Sequence, residues 1–554
     1  MEAFFRLMWI AFIQWYNSSD TDKQVEEEDL LQKRTEGISV VEQKGNVRIK
    51  VIVANARHIN LKELLSYELS SVPCALAYND GSLRKTTKSV LSTVIEKGVN
   101  IVSRLPVSPQ QIVYIIDGMA TVQMTKSAGA SLFGDLSLKY FEIFTAPLSL
   151  HNCLEVHVVF DQYLDMSIKA GERSRRGASN ALEVQIASPS TPVPKQWGKY
   201  ISNPKNKINL CDYLTKSLCK LGQEKLAENK AMVIGGGIKD GERCVLITRG
   251  NCSDVVDLKS NHEEADTRLL LHVKHVSHAE TRIVIQSPDT DVLVISTAHF
   301  DSLGCEELWF RTGVKDRLRF IPVHEVCRSL GQRMCSALPA CHALTGCDSI
   351  SALAGIGKKK AWNVLCRNHV HQETLSMLGE EHELDENIAA KCESFVCDLY
   401  PSLKRTPETT DELRYLMFCQ KRQTNETLPP ISDSVRQHIM RANYQTYVWR
   451  KSLDAMQDLP PPEGHGWKIE DSTLKPMFMT KEPAPKSLLE LTTLYEEFRC
   501  QQGTVLSVCT LEDISSLSRL GVERHSNFQK YDNRFHRGFD FKRGICSEDH
   551  RQLL

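Results

Sequence analysis

The chain has 554 residues, 68 Lys and Arg against 69 Asp and Glu, and 41% hydrophobic residues. Those proportions exclude wholesale disorder, a collagen-like repeat and an extended coiled coil. A net charge of -1 excludes coating of nucleic acid by bulk electrostatics, so any such binding must come from locally clustered charge. Eighteen cysteines without one C-x-x-C pair point to a reduced, nuclear or cytoplasmic protein rather than a disulfide scaffold. Cys335, Cys341 and Cys347, with His342 beside the second, lack zinc-ligand spacing and read as thiols buried in helical packing.

In chain order, MEAFFRLMWIAFIQW is apolar but interrupted by Arg6. It is too short to span a bilayer and has neither a cationic lead nor a small-residue cleavage site, so a packed terminal helix is expected in place of a signal peptide. Residues 1–110 are expected to form an N-terminal extension with a short strand at 47–54 and two helices between Leu61 and Lys97. Apolar runs then follow that suit buried parallel strands: 111–117, 154–161, 243–250, 281–289 and 292–296. Helix-compatible segments alternate with them, notably 131–145 and 263–277, which is the pattern of an open α/β sheet.

Between the second and third of those runs, about 162–240, lies a basic insertion. From Lys169 to Lys230 it carries twelve bases and five acids. Residues 368–458 read as a C-terminal helical region. LPPPEGHGW breaks that pattern, and 459–554 is expected to be a poorly ordered tail.

Ligands of an open parallel sheet gather beyond the carboxyl ends of its strands. Here Asp117 and Asp161 each end an apolar run, and Asp289 and Asp291 follow IVIQSP. Any one alone is ordinarily a turn residue or helix cap. Packed together they repel one another unless a cation neutralises them, and oxygen-only ligands suit a hard ion, magnesium or manganese.

Further acids stand in NHEEADTRLLLHVKH, where Ser260 and Glu263 form a capping-box pattern. Glu264 and Asp266 diverge by about 200° on a regular helix, so both reach one site only if Glu264 sits at an irregular helix start. Glu263 and Asp266, three apart, are the competing pair. The last acid, Asp348, precedes Gly355-Ile356-Gly357 and the bases Lys358, Lys359 and Lys360. A glycine turn lets backbone N–H groups approach a phosphate, and the lysines add counter-charge.

In this order the residues resemble the flap endonuclease/XPG nuclease family. Asp117 resembles its first-strand aspartate, Asp161 in VVFDQY the aspartate of its V-F-D-G segment, and Glu264 and Asp266 its E-A-E. SPDTDVLV resembles its paired-aspartate segment, and Asp348 through Ala361 its aspartate followed by G-I-G-x-K-x-A. The likeness spans roughly 111–367. SYELSSVPCALAYNDGSLRKT is similar to a group of multicopy metazoan open reading frames of this type.

The resemblance implies a PIN-like open parallel sheet with flanking helices, a helix-two-turn-helix module and helical extensions. It further implies two Mg2+ or Mn2+ ions held by Asp117, Asp161, Glu264, Asp266, Asp289, Asp291 and Asp348, and a potassium ion at the helix-two-turn-helix. Gly355, Gly357, Lys358, Lys359 and Lys360 would grip the duplex backbone, and Lys169, Arg173, Arg175 or Arg176 would touch the scissile phosphate. The implied substrate is nucleic acid, branched or overhanging DNA above RNA, and no membrane partner is expected. VIGGGIKDGE lacks the spacing of a nucleotide loop, so no nucleotide cofactor is expected. The sequence departs from the family where more than a hundred residues precede Asp117, where Gly118 follows it, and where Gln162 follows Asp161. The competing class is a catalytically inactive, nuclease-like nucleic-acid-binding or scaffold protein.

Overall fold

The computed structural model describes residues 60–163, 167–168, 171, 182–237, 240–400, 407–420 and 426–486. Its centre is an eight-stranded sheet built from β1 (Gln111–Asp117), β2 (Cys153–Val159), β3 (Ala231–Gly235), β4 (Cys244–Thr248), β5 (Asn251–Asp254), β6 (Thr281–Gln286), β7 (Glu307–Thr312) and β8 (Arg319–Pro322), in the order β5-β4-β3-β2-β1-β6-β7-β8. The five strands from β3 to β7 run parallel, while β4, β5 and β8 pair antiparallel at the edges. This mixed α/β architecture with a mostly parallel sheet is compatible with a PIN-like fold.

Both faces of the sheet are covered, which is why its strands read as continuous apolar runs. Alternation along β1 sends Val113 and Ile115 into one core and Ile112, Tyr114 and Ile116 into the other. The second core is closed by α3 (Gly118–Thr125), α4 (Phe133–Thr145), α5 (Trp197–Ser202) and α6 (Pro204–Lys225). The described part of the basic insertion thus forms a helical layer that buries Leu210, Leu214 and Leu218 and leaves Lys205, Lys216 and Lys220 exposed.

Against the first core lie α7 (Ala265–Val276), α8 (Thr290–Leu303), α9 (Val323–Leu330), α10 (Gln332–Leu344) and α11 (Lys358–Arg367). Farther along come α12 (His369–Met377), α13 (Glu386–Asp398), α14 (Thr410–Cys419) and α15 (Ser432–Arg450). The segment before β1 packs here too. Of its helices, α1 (Leu61–Leu65) and α2 (Ser89–Ile95), the second places Leu91, Val94 and Ile95 in the core together with Leu76. Backbone bonds from Ala354 N to Ala75 O and from Ala352 N to Arg84 O, both 2.8 Å, tie it to the loop after Asp348. Residues 459–486 include an antiparallel hairpin, β9 (Trp467–Glu470) with β10 (Thr473–Pro476), whose Trp467 is buried in the same core. The expected strand at 47–54, the N-terminal apolar segment and residues 487–554 lie outside the described residues.

Several local expectations are corrected. VLVIS (292–296) lies within α8 and is no strand. An unbroken apolar run suits a buried helix as well as a strand, and Asp289 caps this one while Gly304, at φ 77°, ends it. The run at 243–250 forms β4 but pairs antiparallel, because the return from Gly235 to Cys244 is shorter than the dozen or so residues a parallel crossover needs. The capping box is not formed, since Glu264 is the N-cap of α7 and Ser260 Oγ accepts instead from His262 N. β3, β5, β7 and β8 are not among the strands expected from the sequence.

Every cysteine among the described residues is a free thiol, and Cys335, Cys341 and Cys347 are buried in apolar packing. No helix among the described residues is long and apolar enough to cross a membrane.

Candidate metal centre

From β1 the chain builds outward through β2 to β5 on one side and then returns to place β6 on the other side of β1, so a crevice opens at the carboxyl ends of these strands. Asp117, last residue of β1, caps α3 by accepting from Ala120 N at 2.8 Å, and its other oxygen accepts from Ser287 Oγ at 3.2 Å. Only Gly fits after it, because a Cβ at Gly118 would lie 2.6 Å from the Phe160 ring.

Asp161 lies just past β2 and accepts from Ala265 N, at the start of α7, at 2.9 Å. Gln162 fastens the same junction, donating from its backbone to Glu263 O at 2.8 Å and from its side chain to Ser260 O at 2.9 Å. The two departures after the strand-end aspartates are therefore local fittings of this chain.

Asp266 follows in the first turn of α7, and Asp289 caps α8 by accepting from Asp291 N at 2.9 Å. Asp266, Asp289 and Asp291 each offer a ligand atom within 4.8 Å of the others. Asp266, common to both acid pairs left open by the sequence, joins the aspartates at the head of α8. Glu264 stands two residues earlier at the N-cap, the irregular helix start its participation would require.

Sequence reasoning missed a cation in this group. Lys88, the N-cap residue of α2, places its ammonium 2.9 Å from Asp289 Oδ1, 3.0 Å from Asp291 Oδ1 and 3.0 Å from Asp348 Oδ1. No spacing rule could find it, since 201 residues separate it from Asp289. Burial works against its charge, but Asp291, Asp289 and Asp348 more than reverse that and raise its pKa. His342, from α10, was also missed as a partner and bonds Asp291 Oδ1 at 2.8 Å. Burial, with Lys358 and Lys88 nearby, holds its imidazole neutral.

The carboxylates feel one another. Burial and then repulsion from Asp161 push Asp117 up to about 7, against the pull of its bonds from Ala120 and Ser287. Burial and Asp291 raise Asp289 as well, with Lys88 offsetting part of the effect. An all-oxygen donor set in which burial and Asp291 hold Asp289 back from ionising fits a hard divalent cation.

At the glycine turn, Gly355 has φ 72° with open space around it, and Gly357 is the N-cap of α11. Lys359 is exposed and Lys360 half-buried. Lys358 does not stand at that surface: it is 2% exposed and donates to His342 O at 2.6 Å and Thr345 Oγ1 at 3.0 Å, pinning the C-terminal end of α10. Burial brings its pKa down to about 8. Lys169, Arg173, Arg175 and Arg176 lie outside the described residues. Beside Asp161 a cleft of about 440 Å³ is lined by Gln162, Tyr163, Lys205, Asn209 and Asp212, among others.

No protein-family model matches the chain, and no curated protein matches it. Among solved structures, the chain is similar to the T5 D15 protein co-crystallised with metal ions, at 12% identity and a TM-score of 0.30, over 62% of this chain and 92% of that one. At that score the likeness carries no argument, and the reading of the site rests on its own residues.

Proposed function

We propose that this chain is a divalent-metal-dependent nuclease that hydrolyses phosphodiester bonds in nucleic acid, branched or overhanging DNA above all. The observation that carries the reading is the convergence of acids from three neighbouring parallel strands and two helix starts, with Asp266, Asp289 and Asp291 close enough to share one ion. Asp266, Asp289 and Asp291 would hold magnesium or manganese, with Asp117, Asp161, Glu264 and Asp348 around them. Such an ion supplies a low-pKa water and neutralises charge on the phosphate.

The chain's own groups do the rest. Without an ion Asp117, pushed up to about 7 by burial and Asp161, exchanges a proton at the floor of the crevice near neutral pH, and a bound ion would draw it toward the carboxylate. Exposed Lys359, half-buried Lys360 and the open backbone at Gly355 and Gly357 offer phosphate contacts that position a strand without reading bases. Lys205 and Tyr163 line the cleft beside Asp161, where a strand leaving the crevice would run. Lys169, Arg173, Arg175 and Arg176 would supply further counter-charge to the scissile phosphate.

The test is cleavage of flap, gapped, single-stranded and RNA substrates by the purified chain with Mg2+ or Mn2+. We expect cutting of at least the flap substrate and silence in EDTA. Inactivity on all of them with either metal would end the enzyme reading and leave a nucleic-acid-binding scaffold.

A further inference from the structure

The ammonium of Lys88 is arranged as an ion of this centre would be. It touches both oxygens of Asp289, at 2.9 and 3.2 Å, and one oxygen each of Asp291 and Asp348 at 3.0 Å. Three carboxylates from two separate segments thus converge on one cation that the chain itself provides. We propose that Lys88 is the resident second cation of the centre, so that the chain takes one divalent ion, at Asp266, Asp289 and Asp291, where the family resemblance implies two. This inference rests on the metal-centre reading above and specifies its ion count.

The placement of Lys88 is built in. It heads α2, whose Leu91, Val94 and Ile95 are buried with β1, β6 and α8 in one core. The strand of chain before it is bonded to the loop that carries Asp348: Ala354 N donates to Ala75 O, Ala352 N to Arg84 O, and Lys85 Nζ to Asp348 O, each at 2.8 Å. The lysine and its most distant partner are therefore held in register by two backbone bonds and the Lys85 contact, none of which involves the Lys88 ammonium or the carboxylates it touches.

Geometry limits what else fits there. Paired divalent ions in such centres lie about 3.5–4 Å apart, and a magnesium ion needs oxygens at about 2.0–2.1 Å. An ammonium already in contact with Asp289, Asp291 and Asp348 fills one of those two places and repels a second divalent ion from it. Lys88 and His342 both bond Oδ1 of Asp291, which leaves Oδ2 for the ion shared with Asp266. A fixed monovalent charge neutralises less than a divalent ion but needs no ion uptake.

The test is Mn2+ titration of the full chain, followed by electron paramagnetic resonance and calorimetry, on the wild type and on Lys88→Met. We expect one bound ion in the wild type, and in Lys88→Met either a second ion or at least tenfold tighter binding of the first. In EDTA the variant should melt earlier, with Mn2+ restoring it. If Lys88→Met fails to fold, Asp348→Asn serves instead: it should keep the wild-type count of one, whereas a fall from two ions to one would overturn the proposal. An ion count and affinity unchanged in Lys88→Met, whether one or two, overturns it and leaves the nuclease reading standing. No Mn2+ bound by either protein overturns both.

Discussion

His342 donates its Nε2–H to Oδ1 of Asp291 at 2.8 Å, and both groups are buried. A carboxylate only accepts, so the contact fixes the imidazole tautomer, and near-parallel stacking on Trp449 at 5.8 Å fixes the ring. Hydrogen-bond partners that orient a metal-binding carboxylate are worth about 10- to 100-fold in metal affinity. His342→Ala should lose that much Mn2+ affinity by titration, and His342→Gln, which keeps a donor, should lose less. Equal losses in the two variants would mean that the residue only fills space.

Asp117 makes stability depend on pH in a specific direction. Burial and Asp161 raise its folded pKa to about 7 from an ordinary 3.8, so its ionisation costs the folded state above pH 7. That cost vanishes as pH falls through 7 toward 3.8. In EDTA, Asp117→Asn should therefore melt above the wild type at pH 8, with the gap narrower at pH 5 and closing only toward 3.8. With Mn2+ the gap at pH 8 should shrink, because an ion held at Asp266, Asp289 and Asp291 favours the ionised form of the nearby Asp117. Thermal melts of the two proteins at both pH values decide it.

The three lysines after the glycine turn should separate into structural and surface roles. Lys358→Glu puts an acid beside the His342 carbonyl in a buried site, and an uncompensated buried charge costs about 3 kcal/mol or more. Its melting temperature should drop sharply. Lys359→Glu should leave the melt unchanged and weaken binding to all nucleic-acid sequences alike, with a shallower salt dependence. Weakened binding without loss of stability in Lys358→Glu would contradict the buried placement.

Much of the centre was legible because strand-end acids are local signals. An apolar run followed by Asp predicts both the strand and where its carboxylate emerges, and β1, β2 and β6 do lie side by side with Asp117, Asp161 and Asp289 at one edge. The helix at 292–296 reads as a strand in sequence since four consecutive buried apolar residues, Val292 to Ile295, carry no period to distinguish a helix from a strand. β3 and β8 leave little mark because strands of five and four residues are barely longer than chance apolar clusters, β5 (NCSD) is polar, and β7 brackets three apolar residues with Glu307 and Arg311. Lys88 and His342 could not be read at all, for a cation two hundred residues away and a neutral histidine in a helix leave no mark on local spacing. Lys358 shows the converse: three consecutive lysines look alike in sequence, and only the turn of α11 decides which of them faces inward.

The measurement that bears most directly on the account uses Asp289→Asn with Asp291→Asn. Each change keeps the side chain's shape and removes a negative charge, so ion affinity and activation of water should fall while Lys359 and Lys360, the proposed phosphate contacts, are untouched. On a flap substrate in Mn2+, the account predicts that turnover drops by about 10²-fold or more, the scale of losing an electrostatic element of a catalytic site. Binding should be unchanged or tighter, since repulsion of the phosphate declines. A double variant that cuts at the wild-type rate would contradict the assignment of these aspartates to a metal centre.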